Sequence, residues 1–182
     1  MTHDSGASLR ARPTIYNGIQ MRSRLEARVA AALDNFGVTW AYEPVAFGAR
    51  SGQYLPDFVI DGVLGQTRRL YLEVRPTHQA CSGVVDRMSV ILESDSAAGL
   101  GYVFPETFER GIITTRRPST GNWLASAISR CPCGLLTVGN VGYVGEEQTL
   151  FVESRCPCGD IALRNIYASP FVLKLPAFEV TA

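Results

Sequence analysis

Asp57 and the run Glu73-Val-Arg75 place two carboxylates and a fixed cation on neighbouring hydrophobic segments, and Glu26 supplies a third carboxylate upstream. Three hard oxygen ligands suit Mg²⁺ or Mn²⁺. An ion held in this way polarises a phosphate and lowers the pKa of an attacking water, and a neighbouring cation stabilises the charge that develops. Those are the requirements of phosphodiester hydrolysis. Glu43, in Tyr42-Glu-Pro, is either an additional ligand or only the polar end of a strand. A second constellation lies near the other end of the chain, where Cys131-Pro-Cys133-Gly and Cys156-Pro-Cys158-Gly offer four thiolates. Four cysteines close a tetrahedral zinc sphere and leave no open position, so this metal is expected to be structural. The knuckles are C-x-C rather than the C-x-x-C usual in zinc ribbons.

Elements that could position the carboxylates are legible in the hydrophobic pattern. From Ile19 to Phe36, apolar residues recur at three- and four-residue spacing (Met21, Leu25, Val29, Leu33, Phe36), and Gly37 follows as a helix stop. The pattern predicts a helix carrying Glu26 at the border of its apolar stripe. Three strands are expected at Val38–Tyr42, Tyr54–Ile60 and Arg69–Arg75, the last ended by Pro76. Side chains at i and i+2 share a strand face, so Glu73 and Arg75 lie together and Asp57 can join them from the adjacent strand. A helix over about Ser82–Glu93, a strand at Gly101–Phe104 and a helical turn near Glu106–Arg110 complete an α-β-β-β-α-β order.

Each acidic residue also has a plainer reading. Glu26 is a solvated helix residue paired with Arg22 at i−4, Asp57 opens a turn after Pro56, and Glu73 and Arg75 form an ion pair on a sheet face. The ordered set favours a site over three coincidences. Cys81 reads as a small buried residue, His78 as a surface loop residue or one that approaches the site after the Glu-Val-Arg strand, and His3 is left without a role.

At these residues the chain resembles the PD-(D/E)xK nuclease superfamily, which includes type II restriction enzymes, phage Holliday-junction resolving endonucleases and transposon-encoded endonucleases. The likeness runs over about residues 19 to 105. It is carried by Arg22-Ser-Arg-Leu-Glu-Ala-Arg, Tyr42-Glu-Pro, Leu55-Pro-Asp-Phe and Leu72-Glu-Val-Arg-Pro, in the family's order. The resemblance implies a restriction-endonuclease-like α/β core, with Glu26, Asp57 and Glu73 as ligands of catalytic Mg²⁺ or Mn²⁺ and residue 75 acting on the phosphate. The chain departs from the pattern there, since the family has Lys where this sequence has Arg75. Arginine delivers fixed positive charge and a bidentate phosphate contact but cannot act as a base. Lys174 is the single lysine of the chain, so Arg75 accords with a general use of Arg.

Bulk properties set the frame. A chain of 182 residues suits one domain plus a small module, and 46% hydrophobic with 19% charged residues marks it as globular. Residues 1–18 read as a mobile tail, 19–118 as the nuclease-like core and 119–182 as a zinc-ribbon module, with Thr114 to Asn122 as the linker. No stretch has the length of a membrane span or the character of a signal peptide, so an intracellular, cytoplasmic protein with reduced cysteines is expected. The formal net charge is zero, so DNA must be gripped by local arginines. Candidates are Arg22, Arg24 and Arg28, then Arg68 and Arg69, then Arg116 and Arg117. The hairpin and tail beyond them, with Tyr143, Phe151, Arg155, Arg164, Tyr167 and Lys174, form either an ordinary packed module or a further nucleic-acid face.

Two functions follow as expectations. One is a metal-dependent DNA endonuclease aided by the zinc module, and the other is a silent nuclease fold that binds DNA or a protein. A homodimer would supply the two sites needed to cut both strands.

Overall fold

The computed structural model describes residues 11–48, 53–61, 69–76, 83–108, 111–117, 119–131, 133, 136–144, 149–155, 161–165 and 179–180. The chain is mixed α/β, with few helices and a mostly antiparallel sheet. Strands β1 (Thr14–Tyr16) and β2 (Ile19–Met21) form a hairpin, extended by the short β12 (Glu179–Val180). Helix α1 (Arg24–Phe36) leads into β3 (Thr39–Tyr42), β4 (Phe58–Asp61) and β5 (Arg69–Val74). Helices α2 (Val84–Met88) and α3 (Val90–Ser94) precede β6 (Gly99–Val103), and α4 (Pro105–Phe108) precedes β7 (Ile112–Arg116). Strands β8 (Trp123–Arg130), β9 (Leu136–Val144), β10 (Thr149–Arg155) and β11 (Ile161–Asn165) follow.

Among the described residues, nine strands make one sheet in the order β11-β10-β9-β8-β7-β6-β5-β4-β3. Every neighbouring pair is antiparallel except β5 and β6, which run parallel with Glu73 opposite Tyr102. That exception follows from the α2–α3 segment between them, because a parallel pair needs a crossover rather than a tight turn. Strands β4 and β5 are buried on both faces. One face, through Phe58, Ile60, Leu70 and Leu72, packs with Val29, Leu33 and Phe36 of α1. The other, through Val59 and Tyr71, packs with Met88 and Ile91 of α2 and α3. Each fully buried side chain of this size contributes about 1.5–3 kcal/mol relative to exposure.

Several expectations change. The helix begins at Arg24, not Ile19, because Asn17-Gly18 makes a two-residue turn with φ of 47° and 75° that folds β1 onto β2. The stretch read as a mobile tail therefore contains a paired strand, and its residues 1–10 lie outside the described residues. The helix then ends as its pattern predicts: Gly37 is left-handed at φ 66°, and Val38 N–H donates to the Leu33 carbonyl at 3.0 Å. The helix expected at Ser82–Glu93 is two five-residue helices that meet at Ser89. The polar stretch read as a linker is part of the sheet, since Thr114–Arg116 belong to β7 and pair with β8. The boundary at 118/119 lies between these two paired strands in sequence. Among the described residues no helix is long and apolar enough to cross a membrane.

Gly101 on β6 leaves no room for a side chain. A Cβ there would sit 2.8 Å from Leu72 Cδ2 and 3.2 Å from the Thr114 carbonyl oxygen. Gly101→Ala is expected to lower stability by about 1–3 kcal/mol, as overpacking does. Urea denaturation measures it, and an unchanged midpoint would contradict the close approach.

Candidate metal and phosphate site

Glu26 is placed by the start of α1. Ser23 caps the helix, its Oγ accepting the Glu26 N–H at 3.2 Å, and its hydroxyl donates to Glu26 Oε1 at 3.0 Å. Ser23-x-x-Glu26 is thus a capping pair that the helix pattern alone does not reveal. The other oxygen, Oε2, accepts the Arg22 N–H at 3.0 Å and a short hydrogen bond from the Tyr42 hydroxyl. The i−4 contact with Arg22 is also present, with Nε 4.0 Å from Oε2. The plainer reading of Glu26 holds for its pairing with Arg22 but not for its solvation, since the residue is buried beside two further acids and caps the helix.

Asp57 directly precedes β4, and Glu73 lies near the end of β5. Continuing the β4–β5 register by one step sets the two opposite each other. Asp57 is 3% exposed and Glu73 6%, figures that carboxylates rarely reach without partners. The Val74 N–H donates to Asp57 Oδ2 at 2.7 Å, and the Arg22 guanidinium makes a short ion pair with Oδ1. Tyr54, which bridges to Phe47 ahead of β4, donates a short hydrogen bond to Glu73 Oε2. Arg75 pairs closely with Glu73 Oε1 and donates its own N–H to the Val103 carbonyl at 2.9 Å. The expected meeting of Asp57, Glu73 and Arg75 at one end of the strands is what the sheet produces.

Glu43 joins from the end of β3. Its N–H donates to the Asp57 carbonyl at 2.9 Å, and its Oε1 lies 2.7 Å from Arg22 Nε. That contact is ionic but lacks hydrogen-bond direction, so Oε1 is a buried acceptor without a donor, as Arg75 Nε is a buried donor without an acceptor. Glu43 also holds a positive φ of 44°, a conformation that costs a non-glycine residue roughly 1–2 kcal/mol. Strain of this kind collects at functional sites.

The electrostatics reflect crowding. Burial, and then the charge of Glu73, push the Asp57 carboxyl up to about 7, with Glu26 adding to the shift and the Val74 N–H and Arg22 opposing it. Burial also pushes up the Tyr54 and Tyr42 phenols, helped by Glu73 and Glu26 respectively, so both remain donors. At Arg22 burial works against the charge, but Tyr42 and the Asp57, Glu26 and Glu43 carboxylates outweigh it and push its pKa further up. Arg22 is a permanent cation.

A divalent ion fits this donor set in charge and in kind. Asp57 is buried and crowded enough by its acidic neighbours to hold a proton near neutrality, and a cation relieves that crowding. Their arrangement is not yet a coordination sphere: among the described residues no three acids, cysteines or histidines stand where one ion could be held. Each oxygen of the three carboxylates has a hydrogen-bond donor of the protein instead.

The remaining candidates are scattered. Arg24 is exposed at the start of α1, Arg28 is half-buried, and Arg69 is exposed and bound to Asp61 at 3.1 Å. Arg116 is half-buried at the end of β7, and Arg117 is exposed in the following turn, donating its N–H to the Asn122 carbonyl at 2.7 Å. Arg68 lies outside the described residues. So do Cys156, Cys158, Cys81, His78 and His3, whereas Cys131 is buried and Cys133 exposed. A surface depression of about 660 Å³ runs along β3 past Trp40, Asp34 and Ile19, and none of the three carboxylates lines it.

Sequence reasoning did not assign Tyr42 and Tyr54 to the site or place Arg22 on Asp57. Tyr54 stands three positions before Asp57 and Tyr42 directly before Glu43 in strand-like segments, but aromatic residues there read as core. No family model matches the chain, and no curated protein or solved structure matches it significantly.

Proposed function

We propose that this protein is a metal-dependent DNA endonuclease with Glu26, Asp57 and Glu73 as ligands of Mg²⁺ or Mn²⁺ and Arg75 as its phosphate-facing cation. The observation that carries this reading is the burial of three carboxylates from α1, the approach to β4, and β5 around two arginines. Also in support is the element order α1-β3-β4-β5-α2-α3-β6, with β5 and β6 parallel, which accords with a restriction-endonuclease-like core. When bound, the ion polarises the phosphate and generates the nucleophilic water. The chain's own residues do the rest. Asp57 and Glu73 hold oxygens at one end of the sheet, Tyr54 and Tyr42 fix the Glu73 and Glu26 carboxylates, and Arg75 presents positive charge that needs no deprotonation. Glu43 is a candidate outer ligand.

Structural zinc on Cys131, Cys133, Cys156 and Cys158 belongs to the same proposal. Support comes from the register. Cys131 and Cys133 occupy the β8–β9 turn, β10 ends at Arg155 immediately before Cys156, and β9 runs antiparallel to both β8 and β10. The start of β9 and the end of β10 therefore lie at one end of the sheet. Zinc there would stabilise the last hairpins, from which arginines could reach DNA.

Incubating purified protein with supercoiled, linear and branched DNA, in Mg²⁺, Mn²⁺ or EDTA, tests the catalytic claim. Metal-dependent nicking is expected, and no cleavage of any substrate in either metal defeats it. A second reading, a silent nuclease fold that binds DNA or a protein partner, is favoured by Arg75 and by the full set of protein donors on the carboxylates. Arg75→Lys separates the two. An active enzyme changes its rate only in degree, whereas a silent scaffold gains cleavage.

A further inference from the structure

Arg22 occupies an unusual position for a residue just ahead of a helix cap. Its side chain is 56% exposed, yet its guanidinium pairs with the buried Asp57 and with Glu43 at 2.7 Å, and lies 4.0 Å from Glu26. Its backbone N–H meanwhile donates to Glu26 Oε2 and to the Tyr42 hydroxyl, each at 3.0 Å. The backbone is anchored, and the charged head reaches inward across three acids. Charges of one sign cannot be buried together without a counter-charge. In this protein a guanidinium supplies it on the oxygens that a divalent ion would use.

We propose that Arg22 is a resident counter-ion that competes with the divalent cation for this site, so that metal loading requires its guanidinium to leave Asp57. The proposal rests on the metal-binding reading of Glu26, Asp57 and Glu73. Arg75 does not share the role: it is 22% exposed, pairs with Glu73, and its backbone is tied to β6 through Val103. Arg22 can withdraw through solvent without unpacking the core, because its side chain is already more than half exposed and its contacts with the acids are made by the guanidinium. Withdrawn, it stands beside the capping residue of α1 with its fork of donors open to a phosphate oxygen. The same residue would thus hold the carboxylates when metal is absent and meet substrate when metal is present.

Mn²⁺ binding to the full chain, without DNA, tests this by calorimetry or by the paramagnetic signal of the free ion. The pH should be held at about 8 so that carboxylates of ordinary and raised pKa are ionised. Arg22→Ala is expected to tighten Mn²⁺ binding about tenfold. Arg22→Lys, which keeps a cation in reach, should bind much as the wild type does. Asp57→Asn should abolish binding at this site in either background. Arg22→Gln serves as a second neutral variant, with thermal melting of the metal-free proteins to establish that each is folded. If Arg22→Ala and Arg22→Gln are folded and bind Mn²⁺ no more tightly than wild type, while Asp57→Asn removes binding, the competition is refuted and the metal site stands. If no variant binds Mn²⁺ in a way that depends on Asp57, the metal site itself is wrong, and the proposal goes with it.

Discussion

Glu73→Gln is expected to reduce metal-dependent DNA cleavage by about 10³-fold or more, while leaving metal-free DNA binding changed only in degree. Glu73 is the acid with the fewest alternative duties. Glu26 also caps α1 and Asp57 also ties β4 to the Val74 N–H, so their substitution mixes structural loss with chemical loss. Among the described residues Glu73 is held by Tyr54 on one oxygen and Arg75 on the other, and both are donors. Glutamine keeps the length and one acceptor oxygen but removes the charge that a hard cation needs. A metal ion contributes several kcal/mol to transition-state charge stabilisation, and roughly 4 kcal/mol corresponds to about a thousandfold in rate. Arg75 would lose its counter-charge, so some loss of stability is also expected, and the rate must be read at a temperature where the variant is folded. Single-turnover cleavage in Mg²⁺ is the measurement. A variant that retains a tenth of the wild-type rate would exclude Glu73 as a ligand of the catalytic ion.

The carboxylates were legible in the sequence because they sit on elements whose periodicity is strong. Leu25, Val29, Leu33 and Phe36 define the face of α1, and that places Glu26 beside it. The buried runs Phe58-Val-Ile and Leu70-Tyr-Leu define β4 and β5, and so fix Asp57 and Glu73 at their ends. The start of the helix was not legible because Met21 falls in register with the same apolar stripe. It is indeed fully buried in that core, but from a strand. The signal that decides between the two is Asn17-Gly18, whose residues accept the left-handed backbone of a hairpin turn, followed by Ser23 as a cap. Strand β7 escaped for a different reason: Thr114-Thr-Arg-Arg is polar and ends at a proline, and local composition cannot report that β6 and β8 flank it. Arg22 shows the deeper limit. Local spacing gives its i,i+4 relation to Glu26, but its pairing with Asp57 joins residues 35 positions apart and depends on how α1 docks at the end of the sheet.

The second large effect concerns Asp57 and follows from linkage. In the folded chain its carboxyl is pushed up to about 7, first by burial and then by Glu73, whereas an unfolded aspartate titrates near roughly 3.9. Between about pH 4 and pH 7 the native state thus binds more protons at this site than the unfolded state. Stability from this group is fully present below the unfolded pKa and falls as pH rises toward 7, by at most about 1.4 kcal/mol per pH unit. Other groups titrate over the same range, so the quantity to measure is the difference between wild type and Asp57→Asn across it. Asparagine carries no titrating group, and its curve should lack the decline. A divalent ion should reverse the wild-type trend, because it binds the ionised carboxylate and displaces its proton. The rise in melting temperature on adding saturating Mn²⁺ is therefore expected to be larger at about pH 8 than at about pH 5, and to vanish in Asp57→Asn. Wild-type and Asp57→Asn curves that run parallel from acid to neutral pH would show that Asp57 titrates in the folded chain as it does in the unfolded one, and so is ionised at neutral pH. Its negative charge would then be satisfied by Arg22 and the Val74 N–H alone, and the crowding argument for a metal at this site would lose its basis.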